Sequence, residues 1–144
     1  YTYLALYICM LIVMIPIVYI VSANKSFQKI YPYFQPPKGQ LMPLFLYWQM
    51  VYFTTFLATE FFYRGFILHG LKYQFGIYAI FIMVIPYCCV HFHKPIAEAF
   101  ASIIAGIILG ILSLKSNSII WGVLIHYSVA ICMDLMALWR EGYF

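Results

Sequence analysis

Apolar residues run along this chain in long blocks, and the polar ones are gathered into a few short breaks. Five apolar stretches stand out, at about 3–22, 43–71, 75–91, 96–114 and 117–139. Each is near or above the roughly 20 residues that carry a helix across a bilayer core, with 75–91 the shortest. Runs such as IAGIILGIL lack the alternation that a lipid-embedded β-strand requires. Backbone groups in lipid need internal partners, so the pattern predicts an all-α, polytopic transmembrane bundle of about five membrane-spanning helices. Residues 1–144 read as a single transmembrane domain. The chain opens at Tyr1 within an apolar run, which suggests a fragment. The first stretch has neither the basic start nor the A-x-A exit of a signal peptide.

The breaks organise the rest. SANKSFQKIYPYFQPPKGQ (22–40) is the only sizeable polar segment, and its prolines and glycine predict a loop. Phe27, Tyr31, Tyr33 and Phe34 place that loop at the membrane interface. A second connection turns at Pro95 in HFHKP, and SLKSNS (113–118) is a short turn with Ser116 or Asn117 positioned to cap the following helix. Within 96–114, Ser102, Gly106 and Gly110 recur every four residues with Ala105 alongside. That stripe of small residues lets another helix approach closely.

Composition agrees with the pattern. The chain is 66% hydrophobic and 8% charged, with a mean hydropathy of +0.94. A soluble domain carries about 25% charged residues, so most of this exterior must face lipid. Net charge is +4, and its distribution says more than its size. Lys25, Lys29, Lys38, Lys94 and Arg140 fall on one side of five alternating crossings, and Lys72 and Lys115 on the other. The positive-inside rule then puts the 23–40 loop in the cytoplasm. No basic stripe suits nucleic acid. Cys9, Cys88, Cys89 and Cys132 lie in apolar spans without a C-x-x-C, and read as buried thiols packing as small hydrophobes.

Seven polar side chains remain inside the apolar spans or at their ends: Glu60, Arg64, His91, His93, Glu98, His126 and Asp134. A charge at such depth costs from about 2.5 kcal/mol upward, and is usually turned to a cavity or a partner. Glu60 and Arg64 are four apart on one helix face, with the acid first, an arrangement suited to bidentate fixing of the carboxylate. His91 and His93 end the third span and point to opposite sides of it. Of the two, His91 is the stronger site candidate, while His93, beside Lys94 and Pro95, reads as a solvated helix-end histidine. Glu98 opens a helix, where a carboxylate interacts well with the dipole. Asp134 is placed to hydrogen-bond a neighbouring helix.

TEFFYRGFILHGL, then YCCVH, then EAFASIIAGIILGILSLKSNSIIWGVLIH resemble the successive motifs of the CPBP family. These are the CAAX prenyl proteases of the Rce1 type with the related bacterial Abi and bacteriocin-processing proteins. The similarity covers about 45–140, and the family pattern is EExxxR, FxxxH and HxxxN. Arg64 sets the register, so Glu60 matches the second Glu of the motif and Thr59 stands where the first belongs. Tyr87 stands for the motif Phe, His91 for the first His and His126 for the oxyanion-stabilising His. The Asn position is Ala130. Thr cannot replace a carboxylate base, nor can Ala donate a hydrogen bond.

The resemblance implies an integral protein, placed in a bacterial cytoplasmic membrane, that hydrolyses a peptide bond with Glu/His-activated water. Glu60, His91 and His126 would carry the chemistry around one cavity, with Arg64, Thr59, Glu98 and Asp134 supporting them. Glu98 or Asp134 would supply the missing carboxylate. The partners it implies are membrane lipid and a peptide or protein substrate, lipid-modified or not, with no cofactor. Three other readings compete. Glu60, His91, His93 and His126 form a nitrogen and oxygen set that zinc would accept, although no HExxH occurs. Thr59 and Ala130 fit a catalytically impaired scaffold acting as a membrane binding or immunity partner. Buried acids and histidines also fit a proton or ion pathway.

Overall fold

A computed structural model describes residues 1–143 apart from Pro36, Lys38 and Gln40. Those three belong to the expected 22–40 loop and lie outside the described residues, as does Phe144. The described chain is helical, without a strand. Its elements are α1 (Thr2–Val21), α2 (Lys25–Gln28), α3 (Leu41–Glu60), a π-helical segment (Phe61–Leu68), α4 (His69–Phe75), α5 (Ala79–Cys89), α6 (Ile96–Ser116) and α7 (Ile120–Arg140).

Among the described residues, four helical stretches are long and apolar enough to cross a membrane: Thr2–Val21, Leu41–Cys89, Ile96–Ser116 and Ile120–Arg140. The second takes in two of the five apolar runs. Gly76, at φ +55, allows the chain to break there, a conformation that a side chain would strain. Past it, α5 packs back against 61–68. With 11 residues α5 is about 16 Å long, roughly half a bilayer core, so the 75–91 run is no full crossing by itself. Large apolar side chains such as Ile20 (70% exposed) and Phe66 (67%) point outward, as a lipid-facing surface requires.

The chain forms two compact units. One comprises Leu57–Val123. Its core is Tyr63, Leu68, Ala79, Ile80, Met83, Val84 and Tyr87, with Ile107, Ile111 and Leu114 packed against it. The small-residue stripe of α6 does what its spacing suggests. A Cβ at Gly106 would stand 3.0 Å from Tyr87 and Val84, and one at Gly110 3.2 Å from Ile80 and Met83. Contact that close between α5 and α6 needs glycine.

The other unit comprises Tyr1–Phe56 and Leu124–Phe144. Tyr7 joins α1 to α7 through Ser128, 2.8 Å away. The polar loop is more structured than its composition suggests. It contains α2, and it buries Phe27 and Tyr31 against Ala137 instead of leaving them all at the interface. Along α3, Trp48, Tyr52 and Phe56 make a row of ring contacts, one turn apart, that begins at Phe34 and ends at His126.

Two local expectations are corrected. Asn117 ends α6 in the left-handed conformation, and Ser118, not Ser116 or Asn117, accepts the Ile120 N–H that opens α7. Ser116 is instead turned to the carbonyls of Leu112 and Ser118. The thiols are not buried: Cys9 and Cys89 are exposed, and Cys88 and Cys132 half-buried. Lipid is as apolar as a core, so a thiol facing it loses nothing by exposure.

Candidate active site

Glu60 ends α3, and Arg64 lies in the π-helical segment that follows. Such segments are rare and often mark functional positions. Arg64 Nη1 donates to Glu60 Oε1 at 3.0 Å, and neither side chain is exposed at all. The guanidinium carbon lies 3.9 Å from the centre of the Tyr87 ring. Arg64 Nε and Nη2 make no hydrogen bond among the described residues. The fixing of Glu60 is therefore a single bond and not the bidentate fork that the pair suggests. A guanidinium held over a ring presents one edge to the carboxylate, and the ring face takes up part of its charge.

Tyr87 is almost fully buried and connects this pair to His91. His91 does not stand on a helix, as its apolar run implies, but in the turn after α5. Its Nδ1 lies 2.9 Å from the Tyr87 carbonyl oxygen, and its ring 4.8 Å from the Tyr87 ring. A carbonyl can only accept, so Nδ1 carries the proton in this bond. Tyr87 thus offers its face to Arg64 and its carbonyl to His91.

Gly122, in the first turn of α7, completes the seat of Glu60. A Cβ at this position would lie 2.6 Å from Glu60 Oε2. No side chain fits there unless the carboxylate moves. Sequence reasoning did not single out this residue, although a glycine in a membrane helix commonly marks a close approach.

In the other unit, His126 is half-buried on α7. Phe56 meets it edge-on, with ring centres 4.7 Å apart and planes at 71°. Ala130, one turn further along α7, is buried.

A family model described as type II CAAX prenyl endopeptidase Rce1-like matches residues 41–132, more than half of the chain. The chain belongs to this family. No curated protein and no solved structure matches it. This Rce1-like chain is an integral membrane protein of a membrane endopeptidase family. The match spans Glu60, Arg64, His91 and His126 and leaves out Asp134.

The remaining candidates have visible local roles. Thr59, half-buried, precedes Glu60 and so projects about 100° away round the helix. Glu98 lies 3.8 Å from Lys94, one turn before it. His93 is exposed in the same turn as His91, between α5 and α6. Asp134 is buried, and both oxygens are engaged: Tyr33 N–H donates to Oδ1 at 3.2 Å and Gln49 Nε2 to Oδ2 at 3.1 Å. That is the helix-tying role, extended to the loop. Within either unit, no three His, Cys, Asp or Glu side chains among the described residues gather as a metal ion would need.

One further histidine went unnoticed in the sequence. His69 Nδ1 lies 3.0 Å from Lys72 Nζ, and its Nε2 3.0 Å from Ser113 Oγ. The ammonium has only donors, so Nδ1 accepts and Nε2–H donates to Ser113. Lys72 also donates to Asn117 at 3.2 Å, which ties α4 to the end of α6. The three-residue spacing of His69 and Lys72 was the available signal.

Proposed function

We propose that this chain is an intramembrane endopeptidase of the CAAX-protease type, cleaving a peptide with water activated by Glu60 and His91. The observation that carries this reading is the junction at Tyr87. There one buried residue places its ring against the Arg64 partner of Glu60 and holds His91 through its carbonyl. In the proposed reaction the base takes a proton from water, and the hydroxide oxygen adds to the scissile carbonyl carbon. The proton then passes to the leaving nitrogen as the C–N bond breaks. His126 donates to the developing oxyanion, the role its family position suggests. No metal or cofactor enters this scheme. The substrate is a peptide segment, lipid-modified or not. Lys25, Lys29 and Arg140 support a cytoplasmic position for the 23–40 loop in a bacterial membrane.

The test is cleavage of a panel of C-terminal peptides, prenylated and unprenylated, in proteoliposomes. Wild type, Glu60→Gln, His91→Ala and His126→Ala are compared, with metal content measured on the same preparations. Each substitution is expected to lower turnover by about 100-fold or more, the scale of lost acid–base or oxyanion assistance. Full turnover by Glu60→Gln would remove Glu60 from the mechanism.

A specific observation favours a second reading. Thr59 and Ala130 stand where the family pattern has Glu and Asn, which suits a scaffold retained as a membrane binding or immunity partner. No cleavage by wild type across the panel, together with its restoration by Thr59→Glu and Ala130→Asn, would select it.

A further inference from the structure

Arg140 ends α7, beyond the residues that the family model matches, and the endopeptidase reading does not use it. Its Nε donates to Ser22 Oγ at 2.7 Å and its Nη2 to the Tyr19 carbonyl at 3.1 Å. The guanidinium carbon lies 5.5 Å from the ring centres of both Tyr19 and Trp139. These contacts fix the guanidinium in place with two of its five N–H groups engaged, which leaves three donors unused among the described residues. Arg140, Trp139 and Gln28 line an open cleft of about 400 Å³. The Gln28 amide nitrogen is committed to the Ser22 carbonyl at 3.1 Å, which holds the floor of the cleft in place.

Two things indicate what such a cleft takes. The first is depth: α1 ends at Val21 and α7 at Arg140, so the cleft lies where two membrane-length helices finish. Trp139, half exposed, is the side chain expected at that level. The second is charge. Lys25 and Lys29, both exposed, flank Gln28 in the sequence, whereas of the acids in this unit Asp134 is engaged by Tyr33 and Gln49, leaving Glu141. A preorganised guanidinium with free N–H groups, beside an interfacial indole, matches a phosphate oxygen at headgroup depth.

We propose that the Gln28–Trp139–Arg140 cleft binds the phosphodiester headgroup of an anionic phospholipid. Arg140 supplies the hydrogen bonds and charge, Trp139 packs on the glycerol region, and the lysines add attraction at longer range.

The test uses the full chain, purified in detergent and reconstituted into nanodiscs of phosphatidylcholine, with or without phosphatidylglycerol. Retained lipid is read by native mass spectrometry and stability by thermal midpoint, with inorganic phosphate alone as a separate arm. Wild type is expected to retain phosphatidylglycerol in preference to phosphatidylcholine and to gain stability from it, with no gain from inorganic phosphate. Arg140→Gln is expected to lose the preference. Because this variant also loses bonds to α1, Gln28→Glu is the companion, placing a negative charge in the cleft with Arg140 intact and giving up only the bond from Gln28 to the Ser22 carbonyl. It should reduce the preference about fivefold, the effect of one charge at the surface. Equal retention of the two lipids by wild type, or an unchanged preference in a folded Gln28→Glu, overturns the proposal. Stabilisation by inorganic phosphate equal to that by phosphatidylglycerol would assign the cleft to a soluble phosphate and overturn the lipid.

Discussion

Glu60 and Asp134 are both carboxylates in apolar runs, and both are buried, yet they are satisfied in different ways. Glu60 has a cation four residues away that lies against the Tyr87 ring and whose Nε and Nη2 make no hydrogen bond among the described residues. Asp134 accepts from two neutral donors, a backbone N–H in the loop and the amide of Gln49. The first is a local pair within one continuous helical stretch, and it leaves donor capacity on Arg64 unspent. The second joins three segments distant in the chain, with both oxygens committed. Unspent capacity is what a reacting site needs, and full commitment is what a structural tie needs. An acid in a membrane span is therefore not in itself a site; what its partners leave over decides.

The largest effect expected from breaking this contrast is at Arg64. Arg64→Leu strands a buried carboxylate, and should cost about 3–5 kcal/mol in a denaturant or thermal titration of the detergent-solubilised protein. The double variant Glu60→Leu/Arg64→Leu should recover most of that loss, because no lone charge remains. If the single and double variants are equally unstable, packing and not charge holds this segment. Next comes Gly122→Ala, which forces Glu60 Oε2 from its seat. It should reduce peptide turnover more than tenfold, about 1.4 kcal/mol of barrier, while the protein still folds. Unchanged turnover would show that Glu60's position is not critical.

On the other side of the comparison, Asp134→Asn turns an amide N–H toward a donor, Tyr33 N–H or Gln49 Nε2. Leaving such a buried group unsatisfied should cost about 1–3 kcal/mol by thermal midpoint, less than Arg64→Leu. A larger loss than at Arg64 would invert the contrast. Smallest is Tyr87. Tyr87→Phe keeps a ring face under the guanidinium and should cost about 1 kcal/mol for the hydroxyl's hydrogen bond to Arg64, whereas Tyr87→Leu should lose up to about 2 kcal/mol more from the cation–π contact, apart from any packing change. Equal effects would mean that the hydroxyl, and not the ring, supports Arg64.

Much of this was legible in the residues alone. Long apolar runs with few charges admit only helices in lipid, because every backbone group must find its partner within the segment. Glu60 and Arg64 were readable as a pair because a helix brings residues four apart together whatever surrounds it. The α6 stripe was readable for the same reason, since Gly106 and Gly110 can face only one way.

Tertiary structure decided what depends on partners distant in sequence. The reversal at Gly76 turned one apolar run into a half-length helix. Tyr87 became the junction between Arg64 and His91 only because α5 packs back onto 61–68. Gly122 matters because of a carboxylate 62 positions earlier that its own neighbours do not reveal. Asp134 found its donors in Tyr33 and Gln49, which no helical periodicity connects to it. Backbone hydrogen bonding is local and repeats with a fixed period, so the sequence displays it. The satisfaction of a buried side chain depends on whichever group the fold delivers to it, and that is a property of the packed chain.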